Sequence, residues 1–209
     1  MSKTILITGS SRGIGAALAR IAKKEGFNVI LHGKKKSKNL VLISKALNSK
    51  YLTFDVSDTK EIKNSIKDVN KIDILVNSAG INISKPFLKL KEKDWRSTYG
   101  ANLFGVTNVI KCVLPVLKKS SSPSRIINIA SVKGTYSAVG HVAYASSKAA
   151  LINLTAGLAK ELAPNIIKIT ATLDITSKKD KLNITFADQG IGFDKNILSK
   201  AFLPFVRSK

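Results

Sequence analysis

Short apolar runs rich in β-branched residues alternate with longer segments of helical periodicity through most of this 209-residue chain. Six of these runs are predicted to be strands, because each is apolar at nearly every position. Strands of this kind are buried on both faces, which favours a parallel sheet covered by helices on each side. The fold class is therefore predicted to be α/β, with a doubly wound parallel sheet. The six strands are placed at 4–7, 28–31, 51–54, 72–76, 125–129 and 166–171.

Five helices are predicted between these strands. The side chains of Ser57 and Asp58 can cap the third helix. Pro115 has no backbone N–H to donate, so the fourth helix is predicted to be interrupted near it. The five helices are placed at 14–25, about 40–47, 58–69, about 94–118 and 141–162.

A glycine-rich turn, Thr8-Gly9-Ser10-Ser11-Arg12-Gly13-Ile14-Gly15, joins the first predicted strand to the first predicted helix. Glycines in such a turn let backbone N–H groups approach a pyrophosphate at the start of the helix, where the helix dipole favours an anion. An ordinary strand-to-helix turn is the alternative interpretation, but the position directly after the first strand favours a dinucleotide site. The residues predicted to contact the cofactor here are Gly9, Ser11, Arg12, Gly13, Ile14 and Gly15.

The second predicted strand ends in His32-Gly33-Lys34-Lys35-Lys36, at the place where dinucleotide sites carry an acidic residue for the ribose 2′-hydroxyl. The acid is absent and three cations are present, which suits a 2′-phosphate, and Arg12 could supply a further positive contact. Solvated lysines of a lysine-rich chain are the alternative interpretation for any one of these side chains. NADP(H) is therefore predicted in preference to NAD(H), with Lys34 as a contact.

Three polar residues after the fifth predicted strand form a pattern that suits acid–base chemistry. Tyr144 and Lys148 are four residues apart on one helix and so share a face. A cation beside a phenol favours the phenolate, which makes Tyr144 a workable general acid/base. Ser131 lies at the carboxyl end of a strand, where it can hydrogen-bond a substrate carbonyl. A surface Tyr–Lys pair is the alternative, but the conjunction with Ser131 and the glycine turn favours a catalytic set.

Over residues 3–167 the sequence resembles the classical short-chain dehydrogenase/reductase family, which has a Rossmann-like fold. The glycine turn is similar to the cofactor loop of that family, and Asp55-Val56 is similar to its adenine-contacting pair. Asn77-Ser78-Ala79-Gly80 is similar to its Asn-Asn-Ala-Gly motif, with Ser at the second position. The resemblance implies further cofactor contacts at Asp55, Val56, Asn77, Ala79 and Gly80.

The catalytic residues of the family also have counterparts. Ser131, Tyr144 and Lys148 match its active-site residues at the usual spacing, and Asn102 matches the helix Asn that holds a proton-relay water. The resemblance implies hydride transfer between NADP(H) and a carbonyl or alcohol. In this reaction Tyr144 would protonate the carbonyl oxygen, Ser131 would orient it, and Lys148 would hold the ribose. Tyr144 and Lys148 are thus cofactor contacts as well, and no metal is implied.

The subgroup that the sequence most resembles is the 3-oxoacyl-(acyl carrier protein) reductases, which implies an acyl-thioester-like carbonyl substrate. Two long helices that pair subunits in many relatives are predicted in this chain, which implies a homo-oligomer.

After residue 167 the sequence departs from the family pattern, since the Pro-Gly turn and Thr that follow the sixth strand in the family are absent. A hairpin from 173–176 and 182–186, followed by a helix, is predicted in place of the usual last strands and substrate lid. Asp188-Gln189-Gly190-Ile191-Gly192 and Phe202-Leu203-Pro204-Phe205 resemble two boxes of histidine-kinase-type ATPase domains.

Two regions are therefore predicted, an NADP(H)-binding and catalytic domain at 1–167 and an atypical tail at 168–209. The change of pattern between them indicates a fused or truncated reading frame. An alternative function follows from this boundary, namely a nucleotide-binding remnant with little or no activity because a substrate lid is missing.

The formal charge of +22 is the feature that most favours a nucleic-acid partner. The excess is divided almost equally between the two halves of the chain, and no aromatic residues alternate with the cations as stacking platforms. Nucleic acid is therefore not predicted as a partner. The single cysteine, Cys112, allows no internal disulfide, and neither a signal region nor a membrane-spanning apolar run is expected. A soluble, cytoplasmic protein without a membrane partner is predicted.

Overall fold

Six parallel strands form most of the sheet in the computed structural model, as the alternation of strands and helices predicts. The structure describes residues 2–120 and 124–162 in full, and the last three strands by their backbone. The strand order is β3-β2-β1-β4-β5-β6-β7-β8, with β7 and β8 antiparallel to their neighbours. The strands are β1 Thr4–Thr8, β2 Asn28–Gly33, β3 Tyr51–Thr53, β4 Ile74–Asn77, β5 Ser124–Ile129, β6 Ile166–Ile175, β7 Lys181–Asp188 and β8 Phe205–Val206.

The helices begin and end within a few residues of the predicted positions. Asp58 caps α3 as expected, because its Oδ1 accepts hydrogen bonds from the backbone N–H groups of Lys60 and Glu61 at 2.8 and 3.1 Å. The α-helices in the described part of the chain are α1 Gly13–Lys24, α2 Lys38–Ala46, α3 Thr59–Ile66, α4 Glu92–Tyr99, α5 Gly105–Leu117 and α6 Val142–Leu162.

Apolar side chains fill both faces of the sheet. On one face, Leu6 of β1 and Leu75 of β4 belong to a core cluster that includes residues of α3, α5 and α6. On the other face, Ile5 and Ile7 pack in a second cluster with residues of α1 and α2. Successive strand residues point to opposite faces, so each central strand supplies both clusters. This is the doubly wound arrangement that the sequence predicts, and its strand order reverses between β1 and β4.

The prediction of an interruption near Pro115 is wrong. Pro115 lies inside α5, which continues to Leu117, and Val113 and Leu117 on either side of it are buried in the core. The helical stretch is instead irregular at Gly100–Phe104, a π turn in which the N–H of Gly105 donates to the carbonyl of Gly100. A Cβ on Gly105 would lie 2.6 Å from Val56 Cγ2, so a glycine permits this close contact.

One helical stretch of the described chain, Glu92–Leu117, is long and apolar enough to cross a membrane by length and composition. From the sequence, no membrane-spanning apolar run is predicted. The apolar side chains of its α5 part pack in the core cluster beneath the sheet. The need to fill that core therefore accounts for the composition of this stretch.

The predicted hairpin after the sixth strand is present in the backbone. β6 and β7 are antiparallel neighbours, with Leu173 opposite Ile184 and Ile175 opposite Leu182. Asp188 and Phe205 are the residues of the two kinase-like boxes that the structure describes, and they lie in β7 and β8. The other residues of both boxes, and the helix predicted in the tail, fall outside the described residues.

Leu75→Ala is expected to lower the free energy of unfolding by about 3 kcal/mol, because it leaves a cavity between the central strand β4 and the helices. The Leu75 side chain has no exposed surface, whereas Leu88 is 94% exposed. Leu88→Ala deletes the same side-chain atoms at a position where they are exposed to water, so it is expected to leave stability unchanged. Urea unfolding of the three proteins measures both effects, and equal losses for the two variants would contradict this assignment of the core.

Candidate active site

A cleft of about 890 Å³ opens at the carboxyl ends of β1, β4 and β5. It lies where the strand order reverses, which is the usual ligand position in open α/β sheets. Most of the cofactor residues predicted from the sequence line it. These are Gly9, Ser11, Arg12, Gly13, Ile14, Gly15, Lys34, Asp55, Val56, Ala79, Gly80, Tyr144 and Lys148.

The glycine turn is held against the end of β4 by direct backbone contact. Gly9 has a φ of +66°, and a Cβ on it would lie 2.7 Å from Ala79 Cα. A Cβ on Gly15 would lie 2.5 Å from the carbonyl oxygen of Gly9. No side chain caps the first turn of α1, and that turn contains no acidic residue. Gly13, Ile14 and Gly15 at the start of α1 line the cleft, so the N–H groups and dipole of the helix suit an anion there.

The cation predicted for a 2′-phosphate, Lys34, is at the cleft and is already paired. Its Nζ lies 2.6 Å from Oδ2 of Asp55, and 67% of the Lys34 side chain is exposed. Asp55 Oδ1 accepts hydrogen bonds from the backbone N–H and the hydroxyl of Ser57. Burial raises the pKa of Asp55, but the hydrogen bonds from Lys34 and Ser57 outweigh it and leave that pKa below its usual value. Lys35 and Lys36 are exposed and do not line the cleft.

Three of the four predicted catalytic residues, Ser131, Tyr144 and Lys148, line the cleft. Ser131 ends the segment after β5 and caps a short 3-10 turn, with its Oγ accepting the N–H of Lys133 at 3.2 Å. Tyr144 and Lys148 lie one turn apart on α6, and the Lys148 Nζ is 5.9 Å from the centre of the Tyr144 ring. Lys148 is only 6% exposed, and its Nζ donates to the carbonyl of Ile129 at 2.7 Å. Burial lowers the pKa of Lys148 to about 8.

Asn102 and Asn77 do not line the cleft. Asn102 lies in the π turn, where its Oδ1 accepts the N–H of Ile81 at 2.8 Å and its Nδ2 donates to the Ile81 carbonyl at 2.9 Å. The same Nδ2 donates to Ser147 Oγ on α6. Asn102 therefore holds the backbone that follows Gly80 against the helix that carries Tyr144.

Asn77, predicted as a cofactor contact, is buried in the sheet instead. Its Nδ2 donates to Asn128 Oδ1 at 2.9 Å, and Asn128 Nδ2 donates to Thr155 Oγ1 at 2.8 Å. This chain of hydrogen bonds joins β4, β5 and α6. Asn77 thus stabilises the strands beneath the cleft and does not line the cleft itself.

Two further residues, for which the sequence patterns indicate no role, hold the cleft together. Thr8 Oγ1 accepts the N–H groups of Ser78 and Ala79 at 3.0 and 3.1 Å. His32 is buried at the end of β2 and accepts the N–H of Gly9 on its Nδ1 at 3.0 Å. The sequence feature that could have identified Thr8 and His32 is that each is a polar residue in an otherwise apolar strand. A buried polar group needs a specific partner, so such a residue is expected to make a defined hydrogen bond.

The chain is similar to known dehydrogenases and reductases over most of its length. A family model described as short chain dehydrogenase matches residues 3–174. The 3-oxoacyl-(acyl-carrier-protein) reductase FabG of Staphylococcus aureus is 36% identical over 180 residues, which is 82% of this chain and 73% of that protein. The enzyme of the same name from Thermotoga maritima is 37% identical over 177 residues, 81% of this chain and 72% of that protein.

Solved structures show the same fold. A gluconate 5-dehydrogenase from Burkholderia cenocepacia in complex with NADP and tartrate matches with a TM-score of 0.76 and 28% identity, over 84% of this chain and 73% of that one. A short-chain dehydrogenase from Streptomyces avermitilis matches with a TM-score of 0.75 and 30% identity, over 81% of this chain and 64% of that one.

The buried Lys148 is expected to make stability depend on pH between about 8 and 10.5. Its pKa is lower in the folded state than in the unfolded chain. In this window the unfolded chain therefore binds more protons, and stability rises with pH. Relative to Lys148→Met, the free energy of unfolding of the parent protein is expected to rise by about 3 kcal/mol across the window.

Urea unfolding at the two ends of this pH range measures the effect, because other titrating groups cancel in the difference between the two proteins. Lys111→Met is the control, since Lys111 is an exposed lysine of the neighbouring helix α5. If the difference in the free energy of unfolding between the parent and Lys148→Met stayed constant with pH, Lys148 would not be desolvated.

Proposed function

The chain belongs to the short-chain dehydrogenase family, and from this we propose that it transfers a hydride between NADP(H) and a carbonyl or alcohol substrate, with Tyr144 as the general acid/base. The observation that carries the proposal is the meeting of the glycine turn, Ser131, Tyr144 and Lys148 at a single cleft. Each of these features alone has an ordinary structural explanation. Their convergence from three separate segments of the chain is what an active site requires.

The residues of the cleft fit a dinucleotide. The glycine turn packs closely on neighbouring backbone, since a Cβ on Gly9 or Gly15 would collide there, and the uncapped start of α1, which would bind the phosphates, lies beside it. Lys34 and Arg12 are the cations that would hold a 2′-phosphate, and Asp55 and Val56 would contact the adenine side. When bound, the nicotinamide ring supplies or accepts the hydride.

On the opposite side of the cleft, the side chains of α6 and of the segment after β5 handle the proton and the substrate oxygen. The Tyr144 hydroxyl would give a proton to the carbonyl oxygen during reduction, and the Ser131 hydroxyl would orient that oxygen by a hydrogen bond. Lys148 lies one turn from Tyr144 on α6, with its Nζ 5.9 Å from the centre of the Tyr144 ring, and would hold the ribose of the cofactor. Asn102 would keep the proton path in place through its hold on the Ile81 backbone.

The substrate class that we propose is an acyl-thioester-like 3-oxo compound. The relatives that support it are named 3-oxoacyl-(acyl-carrier-protein) reductase, and each is matched over more than two thirds of its length. A homo-oligomer formed through the two long helices and a cytoplasmic location stay predictions. So do the absence of a nucleic-acid partner and the kinase-like origin of the tail at 168–209.

A second candidate is a protein that binds NADP(H) without turnover. It is favoured by the end of the family match at residue 174, after which the Pro-Gly turn and Thr of the family pattern are absent. Catalysis depends on holding the substrate against the acid and the cofactor, so residues beyond this point bear on activity more than on cofactor binding.

Tyr144→Phe is expected to lower the rate of NADPH oxidation with an acetoacetyl thioester by at least about 100-fold, because it removes the proton donor and little else. NADPH-induced thermal stabilisation is expected to persist in this variant. Activity that survives the substitution would contradict the role of Tyr144. Stabilisation by NADPH with no turnover in the parent protein would instead favour the second candidate.

Lys34→Met is expected to weaken NADPH binding by about tenfold while leaving NADH binding unchanged or stronger, since only NADPH carries a 2′-phosphate. Fluorescence titration with each cofactor measures the two dissociation constants. Lys36→Met is the matched control, because Lys36 is also exposed but does not line the cleft. An equal loss of NADPH affinity in the two variants, or an equal loss of affinity for NADPH and NADH in Lys34→Met, would contradict a specific contact at Lys34.

A further inference from the structure

We propose that His32 is a positioning residue for the glycine turn, and that its ring must accept a hydrogen bond from Gly9 for the cofactor to bind tightly. The proposal rests on the function proposed above, because it concerns the same dinucleotide cleft. His32 does not line that cleft. It would act through the backbone of Gly9 and through the segment that ends at Asp55.

The backbone of His32 is already fastened to the glycine turn. The N–H of Ser10 donates to the carbonyl of His32 at 2.9 Å, and the N–H of His32 donates to Ser10 Oγ at 2.8 Å. These bonds join the end of β2 to the turn after β1. They also place the imidazole ring directly beside Gly9.

The ring has a partner on each nitrogen, and together the partners select one tautomer. Gly9 N–H donates to Nδ1 at 3.0 Å, so Nδ1 carries a lone pair. Nε2 lies 2.9 Å from the carbonyl oxygen of Phe54, an acceptor only, so Nε2 carries the hydrogen. The ring also packs on Phe54, with centres 3.9 Å apart. With 2% of the residue exposed, burial lowers the pKa of His32 to about 4 and keeps the ring neutral.

The hydrogen bond to Gly9 matters because it completes the restraint on the backbone of the turn. Gly9 has positive φ and lies in backbone contact with Ala79 on one side. The imidazole holds its N–H on the other side, so the peptide plane before Gly9 is fixed between β2 and β4. A rotation of that plane would move the start of the glycine turn, and with it the N–H groups that face the cleft.

The second ring nitrogen extends this control to the adenine side. Phe54 directly precedes Asp55 and Val56, both of which line the cleft. One side chain therefore connects the phosphate-binding turn with the segment that would contact adenine. The catalytic residues Ser131 and Tyr144 lie after β5 and on α6, away from this bridge. Loss of the bridge is accordingly expected to change cofactor affinity and to leave the chemical step intact.

Two substitutions separate the two ring nitrogens. In His32→Asn the carboxamide oxygen can take the place of Nδ1 and accept the N–H of Gly9. In His32→Gln the amide nitrogen can take the place of Nε2 and donate to Phe54, but the acceptor for Gly9 is lost. We expect His32→Asn to bind NADPH within about threefold of the parent and His32→Gln to bind about tenfold more weakly. At saturating NADPH the kcat of both is expected to stay within about twofold of the parent.

Equal NADPH dissociation constants for the two variants, or a loss of kcat in place of affinity, would overturn the proposal. Thermal unfolding without cofactor is recorded for both variants, so that a general loss of stability is distinguished from a loss of binding. If the parent protein itself does not bind NADPH, the proposed function fails. The tautomer of His32 is then tested by NMR spectroscopy alone.

The tautomer has a direct signature in the nitrogen NMR spectrum of the imidazole. The chain contains two histidines, His32 and His141, so His141→Gln leaves a single imidazole to observe. We expect a neutral ring protonated at Nε2, with an unprotonated Nδ1, throughout the range from pH 5 to pH 8. A ring protonated at Nδ1, or one that is charged at neutral pH, would refute the proposal whether or not a cofactor binds.

Discussion

The close approach of the glycine turn to the end of β4 is the constraint on which the rest of the cleft depends. A Cβ on Gly9 would lie 2.7 Å from Ala79 Cα, and one on Gly15 would lie 2.5 Å from the Gly9 carbonyl oxygen. The hydrogen bonds from the N–H groups of Ser78 and Ala79 to Thr8 Oγ1 stabilise the same contact. Two segments far apart in the sequence thus pack with no side chain between them. The same contact positions the start of α1, whose first residues Gly13, Ile14 and Gly15 line the cleft.

Polar contacts hold the opposite side of the cleft, where α6 meets the sheet. Asn77, Asn128 and Thr155 form a buried chain of hydrogen bonds from β4 through β5 to α6. The Lys148 Nζ donates to the Ile129 carbonyl at the end of β5. A buried polar group is costly unless it is paired, so these bonds allow few alternative positions for the helix. The position of Tyr144 on α6 is therefore set by the interior of the protein.

Local patterns in the sequence were enough to predict the strands, the glycine turn and the Tyr144–Lys148 face, since each depends on residues that are neighbours along the chain. They could not predict partners across the sheet. The ion pair of Lys34 with Asp55 depends on how closely the ends of β2 and β3 approach, and no local spacing encodes that distance. Pro115 illustrates the same limit, because packing on both sides of it keeps α5 helical where propensity alone predicts a break.

The π turn at Gly100–Phe104 also sets the rotational phase of the helix that follows it. One additional residue in a helical turn rotates every later side chain by about 100° relative to a continuous α-helix. With that rotation a single apolar stripe of α5 faces the sheet, formed by Val106, Val109, Ile110, Val113 and Leu117. An insertion or deletion here would turn the stripe toward solvent. The length of this segment is consequently as constrained as the identity of its residues.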